Sequence, residues 1–413
     1  GLGQRMSTGS KGIARPTIEI ANTGEKHIID GVEMEFVYVL DTEAPVEIMV
    51  WLPQLKAFCT AEDMTHNMHN LQTLRGAKVR NGLLWSKAID TAIERYGDQV
   101  EVSFSTHHWP TWGNERIVDY WEAQRDMYRY LHDQTLHLAN RGLTPDEIAE
   151  EMKLPASLAS QFNCRGYYGT LSHNVKAQYD LYFGWFNGNP AHLNPLPPSE
   201  LGSKYVEAIG GADKVLEVAK ASYAKGEYRW VATLLDNLVF AEPENKEARR
   251  LLADTYTQLG YQAESGPWRN FYLTGARDLF KKDVPYTSQL INDGVLAQMD
   301  MGTLLDYCAI QLNGEKAAGK EAVININFTD TKEKVMLMLN NGVLNHRLDS
   351  QDEKADLTLE IEKMDFIKLF FGRTDLQTLL KTNKVRTTGN TQAMDVICSA
   401  YEPADPNFKI VLP

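Results

Sequence analysis

Residues 41–70, DTEAPVEIMVWLPQLKAFCTAEDMTHNMHN, are the stretch that decides the fold. Two acids, Glu43 and Glu62, lie at turns on either side of an apolar strand candidate, and a segment rich in His and Asn follows. His107 and His108 come at the end of another apolar strand candidate, VEVSFST. Carboxylates and imidazoles at strand ends are how a rigid sheet presents ligands to a metal ion. The pattern therefore predicts one part of a metal site at a sheet edge.

The bulk composition limits the classes of protein to consider. A chain of 413 residues is too long for one ordinary core, so two or three domains are expected. The formal net charge of −13 leaves no basic excess to neutralise phosphates, which argues against a nucleic-acid partner. No apolar run approaches the roughly 18 to 20 residues that span a bilayer, so no membrane span is predicted.

The four cysteines are isolated in the sequence and lack Cys-x-x-Cys spacing. We interpret them as small buried hydrophobic residues rather than metal ligands or disulfide partners. They do not decide the redox compartment, which is left open with a periplasmic or secreted location favoured.

The pattern of apolar residues divides the chain into three predicted domains. Residues 1–113 alternate strands and turns, with a helical pattern over residues 68–96, which predicts an α/β layered domain. Residues 114–280 are almost purely helical and include two hairpins that resemble tetratricopeptide units. Residues 281–413 combine helices with strands, the last of them FKIVLP, and predict an α+β domain.

Donors suited to an anion are concentrated at two places. His66 and Asn70 are expected to open the helix of residues 68–96, and helix N-termini bind anions through their free N–H groups. Arg75 follows and could reach the same anion in a bidentate manner. In the helical region, one Gly-flanked loop has more hydrogen-bond donors than packing requires. Its two tyrosines could also be core aromatics. The donors are Arg165, Tyr167, Tyr168, His173 and Asn174.

Long strings of the sequence resemble the alkylsulfatase branch of the metallo-β-lactamase superfamily. They are T-E-A-P-x-E, A-E-x-x-x-H-x-x-H-N-L-x-T-L-R-G-A-x-V-R, H-H-W-P-x-W-G-N and N-C-R-G-Y-Y-G-T-L-S-H-N-V-K-A-x-Y. The resemblance covers essentially the whole chain. It implies a multidomain α+β fold with part of a metallo-β-lactamase αββα sandwich, an all-α dimerisation domain and a sterol-carrier-protein-like α+β domain. A homodimer is expected accordingly.

The resemblance also implies a cofactor of two zinc ions. In that family a His-x-His-x-Asp-His motif supplies most ligands, and by position Glu43, Glu62 and His107 would supply others, with Glu62 as a bridging carboxylate. None of the ten histidines of this chain forms that motif. We therefore expect the remaining ligands on an N-terminal polypeptide outside this sequence, either in a longer enzyme or on another chain.

The function implied by the resemblance is zinc-dependent hydrolysis of an alkyl sulfate to an alcohol and inorganic sulfate. Tyr168 or His173 would help to hold the sulfate or to protonate the leaving group. A helix over residues 366–371 would offer an apolar groove to the alkyl chain, although core packing explains most of its apolar residues. The sulfate would meet four further donors: His66, Asn70, Arg75 and Arg165.

Two other functions stay open at this point. A non-catalytic module that binds lipid or alkyl chains and dimerises would fit the C-terminal domain and the incomplete metal site. A thioesterase or lactonase of the same superfamily is disfavoured, because those enzymes typically use His where this chain has Glu43. The sequence does not decide the preferred alkyl chain, or whether the C–O or the S–O bond is cleaved.

Overall fold

A computed structural model of the chain describes residues 14, 16–280, 292–405 and 408–413. These residues fall into two compact units. The first unit holds residues 18–280 together with residues 409–413, and the second holds the described residues from 292 to 408. Both units combine sheet and helix, so the predicted multidomain α+β fold is confirmed. The exact division at residues 113 and 280 stays a prediction.

The first unit contains a six-stranded mixed sheet. Its strand order is β1-β2-β3-β4-β5-β6, with β4 and β5 parallel and every other pair antiparallel. A turn at Asp30-Gly31 joins β1 to β2, and both residues have positive φ, as a tight hairpin turn requires. The strands are β1 (Lys26–Ile29), β2 (Val32–Leu40), β3 (Val46–Leu52), β4 (Ala57–Cys59), β5 (Val102–Phe104) and β6 (Thr111–Trp112).

Ten helices accompany this sheet in the first unit, and they confirm the predicted helical middle region. Thr144 caps α3 through a capping box with Glu147. The helices are α1 (Gly82–Tyr96), α2 (Asn114–Ala139), α3 (Pro145–Glu151), α4 (Ala156–Ala159), α5 (Leu171–Phe183), α6 (Pro198–Ile209), α7 (Ala212–Ala224), α8 (Tyr228–Ala241), α9 (Lys246–Gln262) and α10 (Gly266–Asp278).

The sheet and the first helices share one hydrophobic core. Helix α1 connects the parallel strands β4 and β5, and α2 packs against α1. Trp85 of α1, Trp121 and Tyr128 of α2 and Phe58 of β4 are fully buried in this core. Helix α2 therefore belongs to the same core as the sheet, whereas helices α6 to α9 form a second core of their own.

The predicted helix over residues 68–96 is wrong in its first half. Helix α1 begins only at Gly82, where the side chain of Asn81 accepts from the N–H groups of Leu83 and Leu84. Residues 66–81 contain no helix, so His66 and Asn70 do not form a helix N-terminus. The backbone of Met68 pairs with a distant segment instead, because its N–H donates to the Arg165 carbonyl oxygen and its carbonyl oxygen accepts from the Gly169 N–H. Met68 and Leu71 are buried, whereas Leu74 is exposed.

The second unit is an α+β fold around a five-stranded mixed sheet, as predicted. Its strand order is β11-β10-β7-β8-β9, and β7 and β10 are parallel. The strands are β7 (Ala322–Phe328), β8 (Lys334–Asn340), β9 (Val343–Leu348), β10 (Leu357–Ile361) and β11 (Val385–Gly389). The helices are α11 (Asp293–Gln298), α12 (Met301–Ile310), α13 (Gly314–Ala317), α14 (Lys363–Phe370), α15 (Leu376–Lys381) and α16 (Gln392–Cys398).

The predicted final strand FKIVLP is wrong. Residues 408–413 form no strand, and Leu412 is buried among the helices of the first unit. Val411 and Leu412 pack against helices, which needs no neighbouring strand, whereas Phe408 and Ile410 are exposed.

Two other expectations concern the chain as a whole. The cysteines are free thiols, and all four are buried or partly buried, as predicted. Within residues 16–280, 292–405 and 408–413, no helix is both long and apolar enough to cross a membrane.

Candidate metal centre

The direction of the strands brings distant residues to one edge of the first sheet. Strands β2, β4 and β5 all run in the same direction, because β2 and β4 are each antiparallel to β3 and β5 is parallel to β4. The residues that follow their C-terminal ends therefore meet at the same edge. Glu43 follows β2, Glu62 follows β4 and His107 follows β5. Glu47 joins them because β3 starts at this edge.

Side-chain atoms converge at this edge in a way that suits a metal ion. One ligand atom each of Glu43, Glu62 and His69 lies within 4.8 Å of the other two. The Nε2 atom of His107 contacts the Oε1 atom of Glu62 directly. The three predicted metal ligands thus lie together, with Glu62 between His107 and the other two side chains. His69, which the sequence analysis did not select, completes the group.

His69 is held rigidly by residues of the helical region. The side chain of Asn174 donates to the His69 carbonyl oxygen at 2.9 Å and accepts from the Leu71 N–H at 2.8 Å. The His69 ring lies between aromatic neighbours, with ring centroids 4.8 Å from Tyr168 and 5.4 Å from Trp85. The buried position of His69 is therefore fixed from two sides, as a ligand to a metal ion requires.

Arg80 is a second residue that the sequence analysis missed. Its guanidinium donates to the backbone oxygen and the Oε1 atom of Glu43, and to the backbone oxygen of Asn70 at 2.8 Å. It also donates to the Asn70 side chain and lies 3.3 Å from Nδ1 of His69. Arg80 ends the A-x-V-R string of the family motif, and that string was the available signal for it.

Four carboxylates crowd around this edge and repel one another. Burial raises the pKa of Glu43, and the nearby charge of Glu62 raises it further against the opposing effect of Arg80. Burial, together with Glu43 and Glu62, raises the pKa of Glu47 to about 7. Burial raises the pKa of Asp63 to about 8, with Glu47 adding to the effect. A cation in this region would relieve the repulsion.

Asp63 is the most deeply buried of these carboxylates. Its side chain is fully buried, and within the described part of the chain neither carboxylate oxygen makes a hydrogen bond of ordinary geometry. The Thr42 hydroxyl and the Glu43 N–H are the dipoles that act on it. A buried carboxylate without a strong partner costs free energy unless a proton or a cation neutralises it.

His66 lies in an aromatic cluster beside the carboxylate edge. Its ring stacks on Tyr120 and Trp109, with centroids 4.8 Å and 5.1 Å away, and its Nε2 atom lies 2.9 Å from the Thr111 hydroxyl. Burial and the neighbouring His108 lower the pKa of His66 to about 4. A neutral, stacked imidazole is a packing element here, and its predicted contact with sulfate stays a prediction.

Some of the other predicted sulfate donors already bond to groups of the protein. Asn70 is buried and engaged by Arg80, whereas Arg165 is exposed and forms an ion pair with Glu264 at 2.6 Å. Arg75 is exposed, yet it lies close enough to Glu43 to lower the pKa of that carboxyl. Of these three donors, Arg75 is the one that is both exposed and close to the carboxylate of Glu43.

His173 is buried, with both ring nitrogens occupied. The indole N–H of Trp268 donates to Nδ1 at 3.0 Å, so Nε2 carries the proton and donates to the Gln72 carbonyl oxygen at 2.7 Å. This arrangement ties α5 and α10 to the loop that follows His69. The predicted catalytic role of His173 is untested, and the contacts assign it a positioning role.

Two family models match most of the second half of the chain. Residues 144–282 match the model described as alkyl sulfatase dimerisation, and residues 289–413 match the model described as alkyl sulfatase C-terminal. The first match covers the helices from α3 to α10, and the second covers the α+β unit.

Relatives extend the similarity over the whole chain. A linear primary-alkylsulfatase of Pseudomonas sp. is 45% identical over 100% of this chain and 61% of its own length. A linear primary-alkylsulfatase of Pseudomonas sp. (strain ATCC 19151) is 31% identical over 98% of this chain and 78% of its own length. The solved structure of a stereoselective inverting sec-alkylsulfatase from Pseudomonas sp. is 40% identical, with a TM-score of 0.94, and covers 97% of this chain and 63% of that one. The chain thus spans about three fifths of the first of these relatives, and it belongs to the alkylsulfatase family.

Proposed function

We propose that this chain is part of an alkylsulfatase that hydrolyses alkyl sulfate esters to an alcohol and inorganic sulfate with the help of zinc. The observation that carries the proposal is the convergence of Glu43, Glu62 and His69 within 4.8 Å, with His107 in contact with Glu62. Carboxylates and imidazoles are ordinary zinc ligands. The names of the relatives support sulfate esters as the class of substrate.

The donor set of this chain fits zinc. Glu43, Glu62 and His107 follow three strands at one edge. Glu62 would hold two zinc ions together, which its contact with His107 and its closeness to Glu43 and His69 support. The orphaned carboxylate of Asp63 adds negative charge next to them. Bound zinc supplies activated water and neutralises charge on a sulfate ester.

The chain's own residues handle the anion. Arg80 neutralises Glu43 and fixes its orientation, because it donates to both the backbone and the side chain of that residue. Arg75, which is exposed beside Glu43, provides a bidentate donor for two sulfate oxygens. Tyr168, whose ring lies against His69, would donate its hydroxyl to the ester.

The proposal includes partners outside this sequence. The described residues bring four metal-ligand side chains to the edge, and two zinc ions need more than these. We assign the remaining ligands to an N-terminal polypeptide, since the chain spans 61% of a relative that matches it from end to end. The match of residues 144–282 to a dimerisation model supports a homodimer.

The test measures zinc stoichiometry and release of sulfate from dodecyl sulfate, with the chain alone and with the N-terminal polypeptide of the same enzyme joined to it. Glu62→Gln should reduce both zinc content and sulfate release, the latter by about 100-fold or more, because the bridging charge is lost. The matched control is Glu101→Gln, since Glu101 is exposed and its carboxylate forms a surface ion pair with Lys56. Wild-type activity in Glu62→Gln would remove Glu62 from the site.

Two further outcomes sharpen the assignment. Absence of zinc and of sulfate release in the joined protein would favour the non-catalytic module that binds alkyl chains. If sulfate is released, hydrolysis in ¹⁸O-labelled water distinguishes the bond that breaks. Label in the alcohol means C–O cleavage, and label in the sulfate means S–O cleavage.

A further inference from the structure

A pocket of about 370 Å³ lies in the first unit between the loop after His69 and helix α10. Its apolar wall consists of Leu74, Trp268, Phe271 and Tyr272. Phe271 is 51% exposed and Leu74 is 43% exposed, so two of these hydrophobic side chains face water. The volume falls in the range of about 300–1,000 Å³ that is typical of sites for small ligands.

Two polar residues of this pocket, His173 and Lys176, are already engaged with the protein. His173 has both ring nitrogens bonded, one of them to the carbonyl oxygen of Gln72. The ammonium group of Lys176 forms an ion pair with Asp146 at 2.6 Å. A polar head group would find few free partners on these residues. The lining therefore favours an apolar ligand over a charged one.

The pocket lies close to the candidate metal centre. Gln72, which lines it, lies three residues after His69, and three residues span at most about 11 Å. Tyr168 forms a second link, because its ring lies against His69 while its carbonyl oxygen accepts from Ser265 at the start of α10. Helix α10 carries three of the four apolar residues of the pocket wall.

The helix over residues 366–371 gives the aliphatic chain little room. Four of its residues are at most 3% exposed and lie inside the hydrophobic core of the second unit: Phe366, Ile367, Leu369 and Phe370. Core packing therefore accounts for them, and they do not line a groove.

We propose that the pocket between Leu74 and helix α10 binds the aliphatic part of the ester while the sulfate is held at the metal centre. This inference rests on the proposed function and gives that function its chain-length preference. A ligand that fits both places has an anionic head and a linear alkyl tail. Each methylene group that enters the pocket should tighten binding about fourfold.

The test uses linear alkane-1-sulfonates, which resemble the substrates and are not hydrolysed. Their dissociation constants are measured by calorimetry, below the micelle concentration, with the metal-loaded protein that contains the N-terminal polypeptide. The affinity should rise with each methylene up to the length that fills the pocket. Phe271→Ser should weaken binding of decane-1-sulfonate about tenfold and leave propane-1-sulfonate within about twofold of wild type.

Phe183→Ser is the matched control, because Phe183 is 44% exposed on α5 and does not line the pocket. A second variant, Leu74→Trp, fills the pocket and should weaken decane-1-sulfonate binding without affecting propane-1-sulfonate. Unchanged chain-length dependence in both pocket variants would overturn the proposal. A change in oligomeric mass with unchanged sulfonate affinity would assign the pocket to a second copy and would overturn it as well.

Failure of the proposed function has a different signature. If the protein releases no sulfate from any ester, the hydrolase assignment fails, while a Phe271-dependent rise of sulfonate affinity with chain length still supports the pocket. If sulfate is released and Phe271→Ser keeps the wild-type KM at every chain length, the pocket proposal fails and the hydrolase assignment stands.

Discussion

The two sheets of this protein treat buried polar groups in opposite ways. At the edge of the first sheet, Glu43, Glu47 and Asp63 are carboxylates whose pKa values are raised by burial and by one another. In the second unit, the buried carboxylate of Asp365 lies 3.2 Å from the ammonium group of Lys384. The edge of the first sheet thus gathers four carboxylates around the guanidinium group of Arg80, whereas the carboxylate of Asp365 is paired with a cation of its own.

This difference separates a site from a scaffold. Crowded carboxylates destabilise a fold unless a cation or protons compensate them, so they persist where a function needs them. The second sheet packs a continuous apolar core that includes Phe328 and Phe366, with rings 5.6 Å apart in an edge-to-face arrangement. Paired substitutions, one in each unit, test whether the contrast is real.

The largest difference in the free energy of unfolding is expected between substitutions of two arginines. Arg80→Gln should lower the free energy of unfolding of the first unit by about 3 kcal/mol, because Arg80 is buried and Glu43 loses its charged partner. Arg373→Gln in the second unit should cost less than about 1 kcal/mol, because Arg373 and Asp293 are half exposed. Denaturant titrations of the two metal-free variants measure both values. Equal losses would contradict the contrast.

A smaller difference is expected between two buried asparagines. Asn174 bonds His69 and Leu71, and Asn325 bonds both backbone groups of Asp352 in the same manner. Replacing either by Ala should cost about 1–3 kcal/mol, because buried partners are left unsatisfied.

Only Asn174→Ala should also weaken zinc binding, by about tenfold, because it releases the segment that carries His69. Competition with a chromophoric chelator measures the affinity of each variant for zinc. Weakened zinc binding in Asn325→Ala, or wild-type affinity in Asn174→Ala, would separate His69 from the metal centre.

The smallest difference is expected in how stability depends on pH. The pKa of His66 is lowered to about 4 in the folded protein. Between about pH 6.5 and 4, His66 therefore binds a proton in the unfolded chain and stays neutral in the folded protein. Stability is therefore lost as the pH falls through this window. His66→Gln should recover about 1–2 kcal/mol of this loss at pH 4, allowing for partial solvent screening.

His346→Gln on β9 of the second unit is the matched control for this prediction. Unfolding of both metal-free variants is compared at pH 7 and pH 4. An identical acid response of wild type and His66→Gln would show that the stacking on Tyr120 and Trp109 does not hold the ring neutral.

The sequence by itself determined strands β2 and β4 and the position of Glu43 and Glu62 at one edge of the sheet. Alternating apolar residues marked β2 and β4, and turn residues marked their ends, so Glu43 and Glu62 could be placed together before any fold was known. The helix start at Thr144 followed from local capping chemistry. These features depend on residues that are close together in the sequence, so the local sequence pattern predicts them.

Only the tertiary structure decided the rest of the site. Residues 66–81 show helical spacing, yet contacts from Asn174 and Arg165 hold this segment in an extended path, which brings His69 and Arg80 to the carboxylates. Such contacts join residues about a hundred positions apart. Their free energy depends on burial and on partners from other helices and strands, so a local sequence pattern cannot predict them.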